Sequence, residues 1–478
     1  MFRRKTVLAT ALFLMATPSW GKVFVRWTEP SIPPASNLGV DDLVVPLRAK
    51  ALIAEAGRAG YRVYVQIPIS QVSSAARVSA IRKLGGIFLD PGEATQKQTN
   101  NAVRELRLAF PSLSVRTLDP RGQQPEMKAR LVTTRNGILQ VSSATAQPWI
   151  TSNLALVRFD SVSDPAKTPL YSFKWNPPDG SQAEQGPDAT DYFLAIAEAG
   201  AFHADLILDL DKMMQNGLWQ NNRAAWETFG NIKRYMAFST EISDTFGESE
   251  ANVGVIIGNY QNSYEPINLL ARHNIPFRLL RRLDLKTKEL ETLDVLVVFR
   301  AMDKQDVTVI EDFAGKGGVV VLLDSNGPYP WRFDRPTKQG EQLVSHRLGK
   351  GQIIELGDPV GDPESFAQDL RRLIDNSKIA ISLWNALTTV AVSYRKTGGS
   401  EKVVELVNYA QEPLTVQVQI KGSFASIRYE SPEDGCCKSL EGVQHDGYTE
   451  FVVPGLAIAG RVRLAEQSAA VSHLMKDR

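Results

Sequence analysis

Tyr61–Asp90, YRVYVQIPISQVSSAARVSAIRKLGGIFLD, decides the fold. Tyr61–Ile67 is a β-branched and aromatic run, Ser73–Leu84 spaces its apolar residues as an amphipathic helix does, and Gly86–Asp90 is a core-type run closed by Pro91-Gly92. Strand, helix and strand in this order predict a parallel pair joined by a crossover helix.

The pattern extends in both directions. Further strands are predicted at Val23–Trp27, Leu43–Pro46, Leu113–Leu118, Leu154–Phe159, Leu170–Trp175 and Asp205–Leu210, and further helices at Leu47–Ala59, Gln96–Phe110, Ala189–Ala201 and Asn222–Phe238. Eight strands over residues 22–240 suit a (β/α)8, TIM-like barrel, a fold of roughly 250 residues. One stretch departs from it. Met127–Ser143 reads as a hairpin turning at Asn136-Gly137, and no helix is legible between Asp119 and Leu170. The barrel is therefore irregular there or carries a β insertion.

Beyond a polar stretch read as a linker, Glu241–Glu250, residues 251–376 restart the alternation. Strands are predicted at Val253–Ile257, Phe277–Leu280, Val295–Phe299, Val319–Asp324 and Ile353–Leu356, with helices at Tyr264–His273, Val307–Gly315 and Pro363–Ile374. This is the pattern of a flavodoxin-like, doubly wound α/β domain. Residues 378–465 are almost wholly alternating strand, from Leu387–Arg395 to Gly460–Leu464, which predicts a small β-sandwich. Residues 466–478 read as a tail.

The chain of 478 residues is 43% hydrophobic and 22% charged, with a formal charge of +1. That balance excludes disorder and a polytopic membrane protein, and it offers no nucleic-acid footprint. Arg3-Arg4-Lys5, the apolar run Thr6–Met15 and the small residues Ser19 and Gly21 describe a secretory signal peptide, with cleavage expected after Gly21. The run is shorter than the roughly 20 residues of a membrane span; the competing reading is a short N-terminal anchor. Secretion or a periplasmic location is expected, with no membrane span in the mature chain. The two cysteines are adjacent, Cys436 and Cys437. They exclude a disulfide framework and are read as a vicinal disulfide, an intermolecular bridge or incidental loop thiols.

Several runs carry a resemblance: Val253-Gly254-Val255-Ile256-Ile257, Leu293–Val298 and Gly317–Asp324, the stretch His346–Ile354 with Gly349-Lys350-Gly351 at its turn, and Val403–Tyr409. With the domain order, they resemble the family 42 β-galactosidases and related glycoside hydrolases. Those combine a TIM-like barrel, a middle domain like a class I glutamine amidotransferase without its chemistry, and a terminal β-sandwich. The resemblance implies a carbohydrate substrate or ligand and homo-oligomer assembly through the middle domain. It departs at the motif that matters. The family places Asn-Glu after the fourth barrel strand, with Glu as acid; here Asp90-Pro91-Gly92-Glu93 stands there, and the dipeptide Asn-Glu occurs nowhere.

Barrel enzymes carry reactive groups at the C-terminal ends of their strands. That rule selects Arg26, Trp27 and Glu29 after the first strand, Asp90 and Glu93 after the fourth and Asp119 after the fifth. It adds Trp175 and Asn176 after the seventh, and Asp209 and Asp211 at the eighth. Carboxylates beside tryptophans suit glycoside cleavage, which needs one carboxyl as acid and another ionised, with indole faces against the sugar. Asp90, Asp209, Glu93 and Asp211 are the candidate catalytic residues; Arg26, Trp27, Glu29, Asp119, Trp175 and Asn176 are the candidate substrate contacts. Each has a plainer alternative. Asp90 could cap a turn, Glu93 could favour a helix start, Arg26 could balance buried carboxylates, and the tryptophans could be packed aromatics. Asp209 and Asp211 share a face if the strand runs through both; otherwise they are loop residues.

The five histidines lack metal-ligand spacing, no Gly-x-Ser-x-Gly elbow is present, and Gly315-Lys316-Gly317-Gly318 precedes a strand rather than opening a helix. No cofactor or metal is expected. The reading is an exported glycoside hydrolase acting on a poly- or oligosaccharide. Its alternative is a non-catalytic envelope scaffold that binds carbohydrate or protein.

Overall fold

The computed structural model describes residues 21–75, 84–92, 94–118, 126–127, 132–135, 138–141, 158–159, 162, 170–173, 187–240, 246–257, 267–268, 270–280, 290–299, 302, 304–323, 327–334, 336–339, 343–356, 363–386, 388–396, 399–410 and 412–466. The expected signal segment before Gly21 lies outside these residues, as do Glu93, Asp119, Trp175 and Asn176.

Eight parallel strands form the first sheet. In chain order they are Val23–Arg26, Asp42–Pro46, Arg62–Pro68, Gly86–Asp90, Ser114–Thr117, Glu126–Met127, Leu170–Phe173 and Asp205–Asp209. Each pairs with the next except the fifth with the sixth, which are not paired among the described residues. The eighth pairs with the first, Arg26 opposite Asp209. That return to the first strand makes this the strand order of a TIM-like barrel.

The sixth place corrects the sequence reading. Arg158 and Phe159, expected to end a strand, are helical, and Glu126–Met127 fills the position. A short apolar run alone cannot separate a buried strand from a buried helical turn. The hairpin is present as Val132–Arg135 and Ile138–Val141, joined by two residues.

Helix boundaries follow local chemistry. Gln96–Ala109 starts at a capping box in which the Thr95 side chain accepts the Gln98 N–H and the Gln98 side chain accepts the Thr95 N–H. Asp188 and Asp191 start Ala189–Ala201 the same way. The helix expected at Asn222–Phe238 is present as Arg223–Thr240, and a helix the sequence reading did not include, Lys212–Trp219, precedes it. No helix among the described residues is long and apolar enough to cross a membrane.

Period-2 alternation divides the barrel strands between two environments. Val25, Trp27, Leu43, Val45, Val65, Ile67, Leu89 and Leu208 belong to the large core beneath the helices. Phe24, Val44, Phe88, Leu118, Leu170 and Ile207 form a separate cluster inside the barrel, with Tyr64 packed on it. The Phe24 ring meets those of Tyr64 and Phe88 edge-on at centroid distances of 5.0 and 5.1 Å.

At the strand starts, the Lys22 Nζ lies 2.6 Å from Asp42, which Arg62 also pairs, and Arg116 pairs Asp205 at 2.5 Å. Burial pushes the Asp42 carboxyl up, but Arg62 and Lys22 outweigh it and hold it below the usual carboxylate value. At Asp205 burial wins over Arg116 and Lys22, and its carboxyl is raised. An ionic floor and an aromatic middle layer leave the opposite end for the site.

The second sheet runs Phe277–Leu280, Val253–Ile256, Val295–Val298, Val319–Leu323, Gly351–Leu356, Leu343–Leu348, Lys338–Gln339. Its first five strands are parallel and its last two antiparallel, the flavodoxin-like order 2-1-3-4-5 extended by a hairpin. The C-terminal part packs a six-stranded against a four-stranded antiparallel sheet, a β-sandwich. The linker reading needs correction: Phe246–Ser249 is an edge strand on Thr389–Lys396 of the six-stranded sheet. Barrel and sandwich meet through Arg461, which donates to Glu405 at 2.6 Å and to the Phe238 carbonyl at 2.9 Å, and through Tyr394, whose hydroxyl donates to the Ala201 carbonyl.

Candidate functional site

The C-terminal ends of the first, third, fourth and eighth strands converge on one hydrogen-bonded chain of side chains. Arg26 Nη1 donates to Asp209 Oδ2 at 2.9 Å, and Arg26 Nη2 donates to Gln66 Oε1 at 2.5 Å. Gln66 Nε2 passes the chain on to Asp90 Oδ2 at 3.0 Å, while the Gly92 N–H donates to Asp90 Oδ1 at 3.1 Å. Arg26 is only 7% exposed, and its Nε is buried without a hydrogen-bond partner. Asp90 and Asp209 are half-buried, so the carboxylates reach solvent over a buried cation.

Arg26, Asp90 and Asp209 each sit where their strand stops, and Gln66 stands two residues before the end of Arg62–Pro68. Gly86–Asp90 ends at Pro91, which has no N–H to extend the ladder, and Gly92 turns away at φ +53. Asp209 is the last residue of the eighth strand, and alternation from Asp205 through Ile207 carries it to the inner side. Gln66 was not among the expected residues. The signal that finds it is the same alternation, applied to Arg62, Tyr64 and Gln66.

Two expectations are corrected here. Asp211 does not share the mouth with Asp209, because the strand ends first. Its Oδ1 accepts the Met214 N–H as N-cap of Lys212–Trp219, and its Oδ2 accepts the Tyr192 hydroxyl at 2.9 Å. Trp27 is fully buried in the outer core with Nε1 donating to the Ser31 carbonyl, so its ring cannot face a ligand. Glu29 is half-buried on the following loop, where its backbone N–H and that of Thr28 donate to Gln215 Oε1. Trp219 is 46% exposed at the end of its helix. Among the described residues, no three metal-ligating side chains gather at the mouth.

Chemically, the mouth offers two carboxylates that accept N–H donors, tied through one guanidinium and one amide. Removing any member exposes or unpairs its neighbour.

No protein-family model matches the chain, and no curated protein does. Solved structures do match. The chain is similar to alpha-L-fucosidase isoenzyme 2 from Paenibacillus thiaminolyticus, at TM-score 0.59 and 13% identity over 94% of this chain and 100% of that one. It is also similar to a GH42 beta-galactosidase, Gan42B, from G. stearothermophilus, at TM-score 0.52 and 10% identity over 94% and 98% of the two chains. The beta-galactosidase from Rahnella sp. R3 aligns at TM-score 0.53 and 9% identity over the same shares. At these identities the likeness is one of fold: barrel, middle α/β sheet and sandwich in the arrangement of family 42 and related glycoside hydrolases.

Proposed function

We propose that the protein is an exported glycoside hydrolase that acts on a poly- or oligosaccharide at the barrel mouth. The observation that supports this is the Asp209–Arg26–Gln66–Asp90 chain, which holds two acidic side chains at the strand ends where barrel enzymes work. Both accept hydrogen bonds, the arrangement of a base or nucleophile rather than of a proton donor. The acid role is assigned to Glu93 or Asp119, the acidic candidates that the sequence places after the fourth and fifth strands.

The test is a panel of aryl glycosides and oligosaccharides against wild type, D90N, D209N, E93Q and D119N. Turnover by wild type is expected, with kcat lowered on the order of 10²–10⁴-fold in D209N and in whichever acid variant removes the donor. No hydrolysis of any glycan by wild type would overturn the activity. Calorimetric binding of an oligosaccharide without turnover would then identify the carbohydrate-binding scaffold, a reading favoured by Asp209 being committed to an ion pair.

A further inference from the structure

Cys436 and Cys437 lie outside the chemistry proposed for the barrel, in a setting built around them. Strand Gly435–Ser439 is the edge of the six-stranded sheet and runs antiparallel to Phe424–Ser431. Tyr429 opposes Lys438 and Ser431 opposes Gly435, so Glu430 alone faces both cysteines across a β-bulge. In a regular strand, neighbouring side chains point to opposite faces. Here the S–S bond holds the two consecutive sulfurs together, and the bulge sets the pair beside one carboxylate. Cys437 Sγ is 3.8 Å from Glu430 Oε2, and one ligand atom from each of Glu430, Cys436 and Cys437 lies within 4.8 Å of the others.

Exposure and support divide between the partners. Both cysteines are exposed and joined as a vicinal disulfide. Glu430 is 4% exposed, and its Oε1 accepts Arg461 Nη1 at 3.2 Å and Arg463 Nε at 3.0 Å. The arginines fix the carboxylate so that its other oxygen stands beside the sulfurs. A rigid oxygen ligand and two sulfurs open to solvent are a three-ligand set with a free outer position.

We propose that the reduced pair, with Glu430, binds one thiophilic divalent cation of the zinc and cadmium class. Thiolates select such ions over hard cations. A dithiol reductant supplies two electrons and two protons; the S–S bond breaks, two thiols form and the reductant closes to its own disulfide. The cation then displaces both thiol protons and forms two metal–sulfur bonds. The disulfide form has no thiolate and does not bind.

The experiment titrates Cd²⁺ into full-length protein, reduced and freed of reductant under argon, and follows the thiolate-to-cadmium ultraviolet band and proton release. One equivalent and two protons are expected, with no band in the oxidised protein and the one-to-one band lost in C436S and in C437S. E430Q is expected to weaken affinity more than tenfold. Should E430Q fail to fold, E430D keeps the charge for Arg461 and Arg463 while drawing the carboxylate back, and the same weakening is expected. An unchanged titration in C436S, or wild-type affinity in the folded Glu430 variant, overturns the proposal.

Discussion

The Arg26–Asp209 pair makes a quantitative test, because its two members differ in burial. The Arg26 side chain is 9% exposed and that of Asp209 31%. Breaking a buried pair by removing one partner costs about 3–5 kcal/mol, since the charge left behind is uncompensated. In R26M the charge left behind is Asp209, which water already reaches, and the aliphatic stem is kept. The cost falls to about 2 kcal/mol, including roughly 1 kcal/mol for the hydrogen bond to Gln66. In D209A the charge left behind is Arg26, buried with one nitrogen already unpartnered, so the full cost of about 3–5 kcal/mol is expected.

The smaller side chain should therefore be the costlier loss. Amide hydrogen exchange in peptides covering residues 22–26 and 205–209 reads the local opening free energy without requiring the whole chain to unfold as one unit. Exchange is expected to quicken by about 30-fold in R26M and by 10² or more in D209A, at about 1.4 kcal/mol per decade. The double variant should cost less than the sum of the two. An R26M cost equal to or above that of D209A would refute the claim that burial of the partner left behind sets the energy.

Two more perturbations bear on the frame around the site. R461M removes a cation that is 2% exposed and leaves Glu405 and Glu430 facing each other in the barrel–sandwich seam. Burial already raises the Glu405 carboxyl, and Arg461 opposes that rise. A raised carboxyl contributes stability below its unfolded value of 4.5 and loses it as pH climbs through the folded value. His203 is pushed down to about 4 by burial and by Arg461, and losing that charge relaxes it in the same sense. The R461M deficit should therefore be about 3–5 kcal/mol near neutral pH and shrink toward about pH 4; urea titrations at both values check it, and a deficit growing on acidification would contradict it. D211A removes an N-cap worth about 1 kcal/mol and the partner of the buried Tyr192 hydroxyl. Thermal shift should show destabilisation with glycan affinity unchanged, whereas loss of affinity at full stability would return Asp211 to the site.

What one chain of residues could settle was local. Tyr61–Asp90 announced a parallel barrel because alternation and helical spacing are properties of consecutive side chains. The same logic placed the flavodoxin-like strands and the sandwich, and it put Arg26, Asp90 and Asp209 at strand ends. Tertiary structure decided the rest. Whether the eighth strand stops at Asp209 or runs to Asp211 depends on a helix cap completed by Tyr192, a residue from another helix. Whether Trp27 faces a ligand or a core depends on which side of the sheet the helices cover. Gln66 joins the site because curling the sheet sets the third strand between the first and the fourth, where one amide can bridge a guanidinium and a carboxylate. The bulge that sets the cysteine pair beside Glu430 is likewise a property of two paired strands. Hydrogen bonds between distant residues have no period along a chain, and only closing the barrel and pairing the strands creates them.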